Sequence, residues 1–330
     1  MHRLVLLRLG EHMPVVSVII PTYNRAHLVG QTIESALAQT FQDIEVLVID
    51  DGSTDRTRDT VEGYAAKSGG RLTYIYQENQ GLAGARNTGC RLAKGKYLGF
   101  LDSDDLWKPE KLAVQMPELE KDPQVGLVSS MAEVINADAT QVIGLKPGRP
   151  PGITLREMIT EGTHPPSTFL VRRIASESIG HFDAAIRSGI EDVDYCFRLS
   201  RKWKFVCLKD VLIQYRYHES NLSSEPVGTY TGYIQTYGKL LSDPSPEVPL
   251  PVAKRYLAKY HYLLGRSYAR QKKASEALRE FVAALRVWPM VGLVVLEGTQ
   301  AWWRKAIGLI KPFCIVFGLS FVVLFSGKRS

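Results

Sequence analysis

Three carboxylates fall within four residues at Asp102, Asp104 and Asp105, in the stretch GFLDSDDLW that runs from Gly99 to Trp107. Like charges this close repel unless a cation or hydrogen-bond donors stand between them, so the cluster calls for a partner. Asp102 and Asp104 are two positions apart, and on an extended backbone both side chains leave the same face. Mg2+ and Mn2+ take hard oxygen ligands and use one or two carboxylates together with substrate phosphates, so the pattern suits a metal-diphosphate clamp. The plainer reading is a solvated acidic turn that caps a helix starting near Pro109. A second acidic site is Asp50-Asp51 in VLVIDDGSTD. A carboxylate there can accept hydrogen bonds from a base or ribose, or can form, with Ser53, the turn and N-cap of the next helix. In GLAGARNTG, residues 81–89, small side chains open a helix. They let Arg86 and Asn87 come close to phosphates, or simply let the helix pack tightly on a sheet.

The elements around these residues are readable from hydrophobic period. Val15–Ile20 is a β-branched run stopped by Pro21, which predicts a buried strand ending in a loop. His27–Gln39 has helical spacing, Ile44–Ile49 is a second strand, Thr57–Ala66 a second helix, Leu72–Tyr76 a third strand, Ala83–Leu92 a third helix and Tyr97–Leu101 a fourth strand. Four alternations predict an α/β fold with a mostly parallel central sheet flanked by helices. In such sheets ligands bind beyond the carboxyl ends of the strands, which is where Pro21-Thr-Tyr-Asn24, Asp50-Asp51 and Asp102-Ser103-Asp104 fall. The turn after the first strand, PTYNRAHL, lacks the glycine spacing of a dinucleotide-binding fingerprint, which disfavours a dehydrogenase.

At 330 residues and 45% hydrophobic, the chain has a globular composition. The net charge of +7 would suit phosphate-rich ligands or an anionic membrane, yet basic residues are spread out except near the C-terminus. Nothing points to nucleic acid as a partner. Cys90, Cys196, Cys207 and Cys314 show no metal or disulfide spacing and read as free thiols. Residues 1–14 are an N-terminal extension whose short apolar run is broken by Arg8, unlike a secretory signal. Residues 226–251 contain five prolines and are expected to be a linker, and 252–290 carry Leu264-Gly265, Tyr268, Ala277, Phe281, Ala284 and Pro289 at the spacing of one tetratricopeptide-type helix pair, whose own partner the sequence does not name. Residues 291–330 form a hydrophobic tail. Its apolar run Ile307–Phe325, bordered by Trp302, Trp303, Arg304, Lys305, Lys328 and Arg329, has the aromatic and basic rim of a bilayer interface, so membrane attachment through it is expected.

The runs VSVIIPTYNR, VLVIDDGSTD, ENQGLAGARNTGCRLAKGKYLGFLDSDDLW, GIEDVDYCFRL and YRYHESNLS, in that order, together resemble the family 2 glycosyltransferases of the GT-A fold. The resemblance covers residues 15–225, with 15–110 as the nucleotide-binding half and 111–225 as the acceptor half. It implies a GT-A nucleotide-diphospho-sugar transferase fold and an inverting, metal-dependent transfer of a sugar from a nucleotide-diphosphate donor. The small α-helical C-terminal region and the tail lie outside the resemblance, and taken with the tail the expectation is a UDP-sugar as favoured donor and a lipid-linked or cell-surface glycan as acceptor at the cytoplasmic side of the membrane. By the same resemblance Pro21, Tyr23 and Asp51 line the base and ribose, with Arg86, Asn87 and Ser103 also on the donor. Asp102 and Asp104 hold the divalent cation and diphosphate, with His218 near the metal. Glu191 lies on the acceptor side and Asp192 is the general base.

The chemistry agrees with those roles, since a single inverting displacement needs one base for the acceptor proton and a cation against charge growing on the diphosphate. For Asp192 the plainer reading is an acid favoured at a helix N-terminus by the macrodipole. For His218 it is a satisfied surface histidine. Two other classes compete. An inactive relative could use the helix pair and tail as a scaffold in a glycan assembly complex, and a nucleotidyltransferase would share the sheet and metal but starts with a glycine- and basic-rich loop that PTYNR is not.

Overall fold

A computed structural model describes residues 13–146, 152–186, 189–218, 226–242 and 248–289. The hydrophobic tail and nearly all of the N-terminal extension lie outside the described residues. Strands β1 (Val16–Thr22), β2 (Ile44–Asp50), β3 (Leu72–Tyr76) and β4 (Tyr97–Phe100) alternate with helices α1 (Val29–Leu37), α2 (Thr57–Ala65) and α3 (Gly81–Leu92). These strands pair in parallel in the spatial order β3-β2-β1-β4, in register Thr22 with Asp50 and Ile19 with Phe100, so their carboxyl ends share one edge.

The chain after β4 extends the same sheet. It adds β5 (Leu106–Trp107), α4 (Lys111–Lys121), β6 (Val125–Ile135), β7 (Val142–Lys146), α5 (Leu155–Glu161), β8 (Leu170–Arg172), α6 (Arg173–Glu177), α7 (Glu191–Ser200) and β9 (Lys204–Arg216). Here β8 pairs antiparallel with both β4 and β6, while β6 runs parallel to β9. The fold is α/β as expected, and the sheet is mixed, with its parallel part confined to the first four strands and the β6–β9 pair. Alternation along each strand divides the core between two faces. Val16, Val18 and Ile20 of β1 join Val46 and Val48 on one side, whereas Ile19 joins Leu47 and Ile49 on the other. Burial on both faces explains the near-continuous apolar runs of β1 and β2.

Two local expectations change. Strand β1 does not stop at Pro21 but continues to Thr22. Its neighbour β4 ends opposite Ile19, so on that side no ladder donor is required from the proline. The stretch 226–251 is not all linker, because α8 occupies Pro226–Ser242. Pro226 stands at the first helical position, where a missing N–H costs nothing, and the other four prolines all follow the helix. Between them Tyr233, Tyr237 and Leu240 recur at helical spacing and pack into the core.

Helices α9 (Leu250–Arg270) and α10 (Ala274–Val287) form a hairpin against this assembly. Tyr233 and Tyr260 stack at 4.1 Å, and Tyr256 Oη donates to the carbonyl of Thr160 at 2.9 Å. Gly265 lets α10 close in, since a Cβ there would stand 2.8 Å from the Phe281 ring. The pair therefore rests on the preceding domain through α8 and α5. Among the described residues no helix is long and apolar enough to cross a membrane.

Candidate active site

The carboxyl ends of β1, β2 and β4 bring the first two acidic clusters to one edge. Asp102 to Asp105 form a turn closed by the Asp105 N–H donating to the Asp102 carbonyl at 3.1 Å. In this turn the carboxylates separate, and the shared face expected of an extended pair is not what forms. Asp102 turns to Arg86, Asp104 to His218, and Asp105 inward. Each finds the partner that like-charge crowding requires, and the partners differ.

Asp105 is buried, 1% exposed, and accepts hydrogen bonds from Ser167 Oγ at 2.5 Å and from the Arg216 backbone N–H at 2.9 Å. Burial, with Asp104 and Asp102 nearby, pushes its carboxyl well above the usual range. Arg216 runs beneath the turn, donating from Nε to the Asp104 carbonyl, from Nη1 to the Ala137 carbonyl and from Nη2 to Gln31 Oε1. Ser167 also accepts from the Asp102 N–H at 3.1 Å. The backbone of the acidic turn is thus held from below by β9 and from the side by the 165–168 segment. Ser103 lies buried in it.

Asp104 faces outward. Its Oδ2 is 3.0 Å from His218 Nε2 and 3.9 Å from Arg25 Nε. Among the described residues no group of three His, Cys, Asp or Glu converges as a self-sufficient metal centre. Asp104 and His218 nevertheless supply one carboxylate oxygen and one imidazole nitrogen side by side, donor types that fit Mn2+ or Mg2+ when substrate oxygens and water fill the other positions. Asp102, expected with Asp104 in the ligand set, is turned away from it to the buried cation.

That cation is Arg86, 1% exposed at the centre of α3. Its Nη2 donates to Asp102 Oδ1 and its Nη1 to Glu191 Oε1, each at 2.5 Å, and its guanidinium lies 5.4 Å from the Phe182 ring centroid. Burial would discharge it, but Asp102 and Glu191 outweigh that and keep it charged. Arg86 therefore ties the β4 turn to α7 and does not reach toward phosphates as expected. Asn87 is committed likewise, donating to the Phe182 carbonyl and accepting from the Phe182 N–H, both at 2.9 Å.

Helix α7 starts with Glu191, Asp192 and Asp194, acids that favour a helix N-terminus. Glu191 is 2% exposed on Arg86, and Asp194 binds Arg198 one turn on at 2.7 Å. Asp192 is left half-buried, with the Val193 N–H as its hydrogen-bond donor. Burial of the site, then the neighbouring charge of Glu191, raise its carboxyl to about 7 against the opposing pull of Arg86.

On the β2 side the Asp51 carboxylate takes the Gln77 amide at 2.7 Å and the Gln80 and Gly81 N–H groups at 2.8 Å each. It thereby holds the N-terminus of α3 against the end of β2, the same carboxylate that is expected to meet a base or ribose. Asp50 accepts from the Tyr74 hydroxyl and the Ser53 N–H. Pro21 is buried in β1, while Tyr23 stands on the rim, 48% exposed.

Sequence reasoning left five residues at the site without a role, Arg25 beside Asp104 among them. Asp105 was visible as the third acid of the turn, and Arg216 lies in the quoted YRYH run, but nothing in spacing tells that one supports the other. Ser167 sits in a single 3-10 turn, Pro166–Thr168, without a motif. Lys146, at the end of β7, rests over the Tyr215 ring at 3.2 Å. Burial lowers its pKa, while the nearby charges of Asp105 and Asp192 act the other way. A fourth cation therefore faces the acids beside Arg25, Arg86 and Arg216.

The sequence model of Glycosyl transferase family 2 matches residues 17–180. An uncharacterised glycosyltransferase of Rickettsia typhi is 31% identical over 233 residues, which is 69% of this chain and 71% of that one. Among solved structures, S. aureus TarS 1-349 in complex with UDP-GlcNAc superposes with a TM-score of 0.62 at 21% identity over 82% of each chain. The mannosyltransferase PcManGT of Pyrobaculum calidifontis, in complex with GDP-Man and Mn2+, does so with a TM-score of 0.59 at 22% identity over 93% of this chain and 84% of that one. At such identities the likeness of structure is one of fold.

Proposed function

The chain belongs to glycosyl transferase family 2, and from that membership we propose an inverting transfer of a sugar from a nucleoside diphosphate to an acceptor hydroxyl, with Asp192 as general base. The observation that carries the reading is the carboxyl of Asp192, which is half-buried and raised to about 7 by burial and by the charge of Glu191 beside it. A base with a pKa near working pH is free often enough to accept a proton and basic enough to take it. As the acceptor oxygen forms its bond to the anomeric carbon, its proton passes to Asp192. The bond from that carbon to the diphosphate oxygen breaks, and the nucleoside diphosphate leaves with the electron pair.

Asp104 and His218 are the residues that would hold Mn2+ or Mg2+, which offsets charge on a departing diphosphate when bound. Arg25, within reach of Asp104, carries positive charge to the same edge. Arg86 positions Asp102 and Glu191 and thereby sets the distance between the acidic turn and α7. Tyr23 at the rim is available to a nucleotide base. A UDP-sugar is the favoured donor, a lipid-linked or cell-surface glycan the acceptor, and the cytoplasmic side of a membrane, reached through the 307–325 run, the place of action.

The test is turnover of UDP-, GDP- and dTDP-sugars with Mn2+ by wild type and Asp192→Asn, together with calorimetric titration of the corresponding nucleoside diphosphates. Transfer lost in Asp192→Asn with donor binding retained is the expected result. Metal-dependent binding of none of the diphosphates would sink the reading and leave the scaffold alternative.

A further inference from the structure

We propose that the α9–α10 hairpin is a docking surface for anionic lipid headgroups. Residues 252–289 contain nine Lys or Arg against two Glu, a surplus of seven that equals the formal charge of the whole chain, so all other residues together are neutral. A charge asymmetry of this size belongs to a partner surface of opposite sign. Lys254, Arg270, Lys272, Lys273, Arg279 and Arg286 are exposed. The two acids are turned to other uses: Glu280 Oε2 lies 2.7 Å from His261 Nδ1 on α9, with its other oxygen 3.5 Å from Arg279 Nε, and Glu276 accepts from Ser275 Oγ.

Helix α10 then shows what kind of anionic surface fits. Its inner side, Ala277, Phe281 and Ala284, packs on α9 around Gly265 and Tyr262. Its outer side presents Leu278 and Leu285, each 43% exposed and two turns apart, with Val282 between them. Arg279 and Arg286 directly follow the two leucines. Apolar side chains flanked by arginines at one helical face suit the boundary between headgroups and acyl chains, where leucines enter and long basic side chains reach the phosphates. Nucleic acid would answer the charge but not the leucines. The sequence runs on from Trp288 toward the Ile307–Phe325 apolar run, which places this face next in the chain to the segment most suited to lipid.

This surface stands apart from glycosyl transfer and is tested without it. Full-length protein is floated with vesicles of phosphatidylcholine alone and of phosphatidylcholine with about 30% phosphatidylglycerol, at low and at 0.5 M salt, to separate an electrostatic contribution from salt-resistant binding through the tail. Wild type should prefer the anionic vesicles by tenfold or more, and salt should remove that preference. Arg279→Gln/Arg286→Gln should weaken the salt-sensitive binding about 25-fold, at roughly fivefold per basic residue, and Leu278→Ser/Leu285→Ser should weaken it as well. Both pairs are surface changes, and unchanged thermal unfolding checks that each variant is folded. Equal binding to neutral and anionic vesicles, or arginine variants that bind like wild type, would overturn the proposal. So would a change of mass by light scattering in the leucine variant, which would make a second copy of the chain the occupant.

Discussion

Replacing Arg86 by Met tests whether the two halves of the site are joined through one buried charge. The guanidinium is 1% exposed and holds two carboxylates, but they are not equivalent. Asp102, with a quarter of its side chain exposed, can be hydrated when its partner goes, whereas Glu191, at 2%, cannot. The loss is therefore dominated by one stranded buried carboxylate, and breaking such a pair costs about 3–5 kcal/mol. In a chain of this size each kcal/mol moves the midpoint by roughly 2–4 °C, so a fall of about 6 °C or more is expected at pH 8.

The pH dependence gives the sign. Burial already raises the Glu191 carboxyl above its ordinary 4.5 against the pull of Arg86, and removing Arg86 raises it further. A carboxyl whose folded pKa lies above its unfolded one incurs no penalty below the unfolded value, a growing one between the two, and the full one above both. The deficit of the variant should thus shrink from pH 8 to pH 5. Adding Glu191→Gln removes the stranded charge and should restore more than half of the stability at pH 8, without restoring turnover. Scanning calorimetry of wild type, single and double variants at both pH values decides it. A single variant within about 2 °C of wild type, or a deficit that is the same at both pH values and untouched by the second change, would rule out a stranded Glu191 charge as the source of the loss.

Other expectations follow from the same geometry. The transfer rate of wild type should fall as pH drops through about 7, because Asp192 must be ionised to accept a proton, and a pH-rate profile flat between 5.5 and 8.5 would count against it as the base. Gly99→Ala places a Cβ 2.6 Å from the Trp107 ring, whose indole N–H donates to the Ser167 carbonyl, so it should cost about 1–3 kcal/mol and shift tryptophan emission. Asp105→Ala deprives the Ser167 hydroxyl and the Arg216 N–H of their acceptor and should cost about 1–3 kcal/mol for each, measured by denaturant unfolding, while loosening donor affinity through the displaced turn.

Much of the first half was legible because its signals are local. β-branched runs, helical spacing and the acids after each strand depend on neighbours in sequence, and the structure keeps every element of residues 15–101 within about two residues of its expected bounds. The surroundings of Arg86 were not legible, for the opposite reason. Small residues at the start of α3 do bring it close to something, but Glu191 stands 105 positions away and only the packing of α7 decides that this something is protein. Pro226 misled in a third way, since a proline marks a break in one context and a helix start in another, and the difference lies in the tyrosines that follow and what they pack on.

By itself, then, the sequence determined the α/β class, the order of the motifs and the presence of acids at the strand ends, because period, turn chemistry and charge are properties of short stretches. Which partner each acid meets followed from the fold. Asp102, Asp104 and Asp105 differ by no more than three positions, yet one meets a buried arginine, one a histidine and one the underside of β9. Electrostatic environment is set by whatever the fold carries in from elsewhere in the chain, and it falls off within a few ångströms, so adjacent residues of the same type acquire different chemistry.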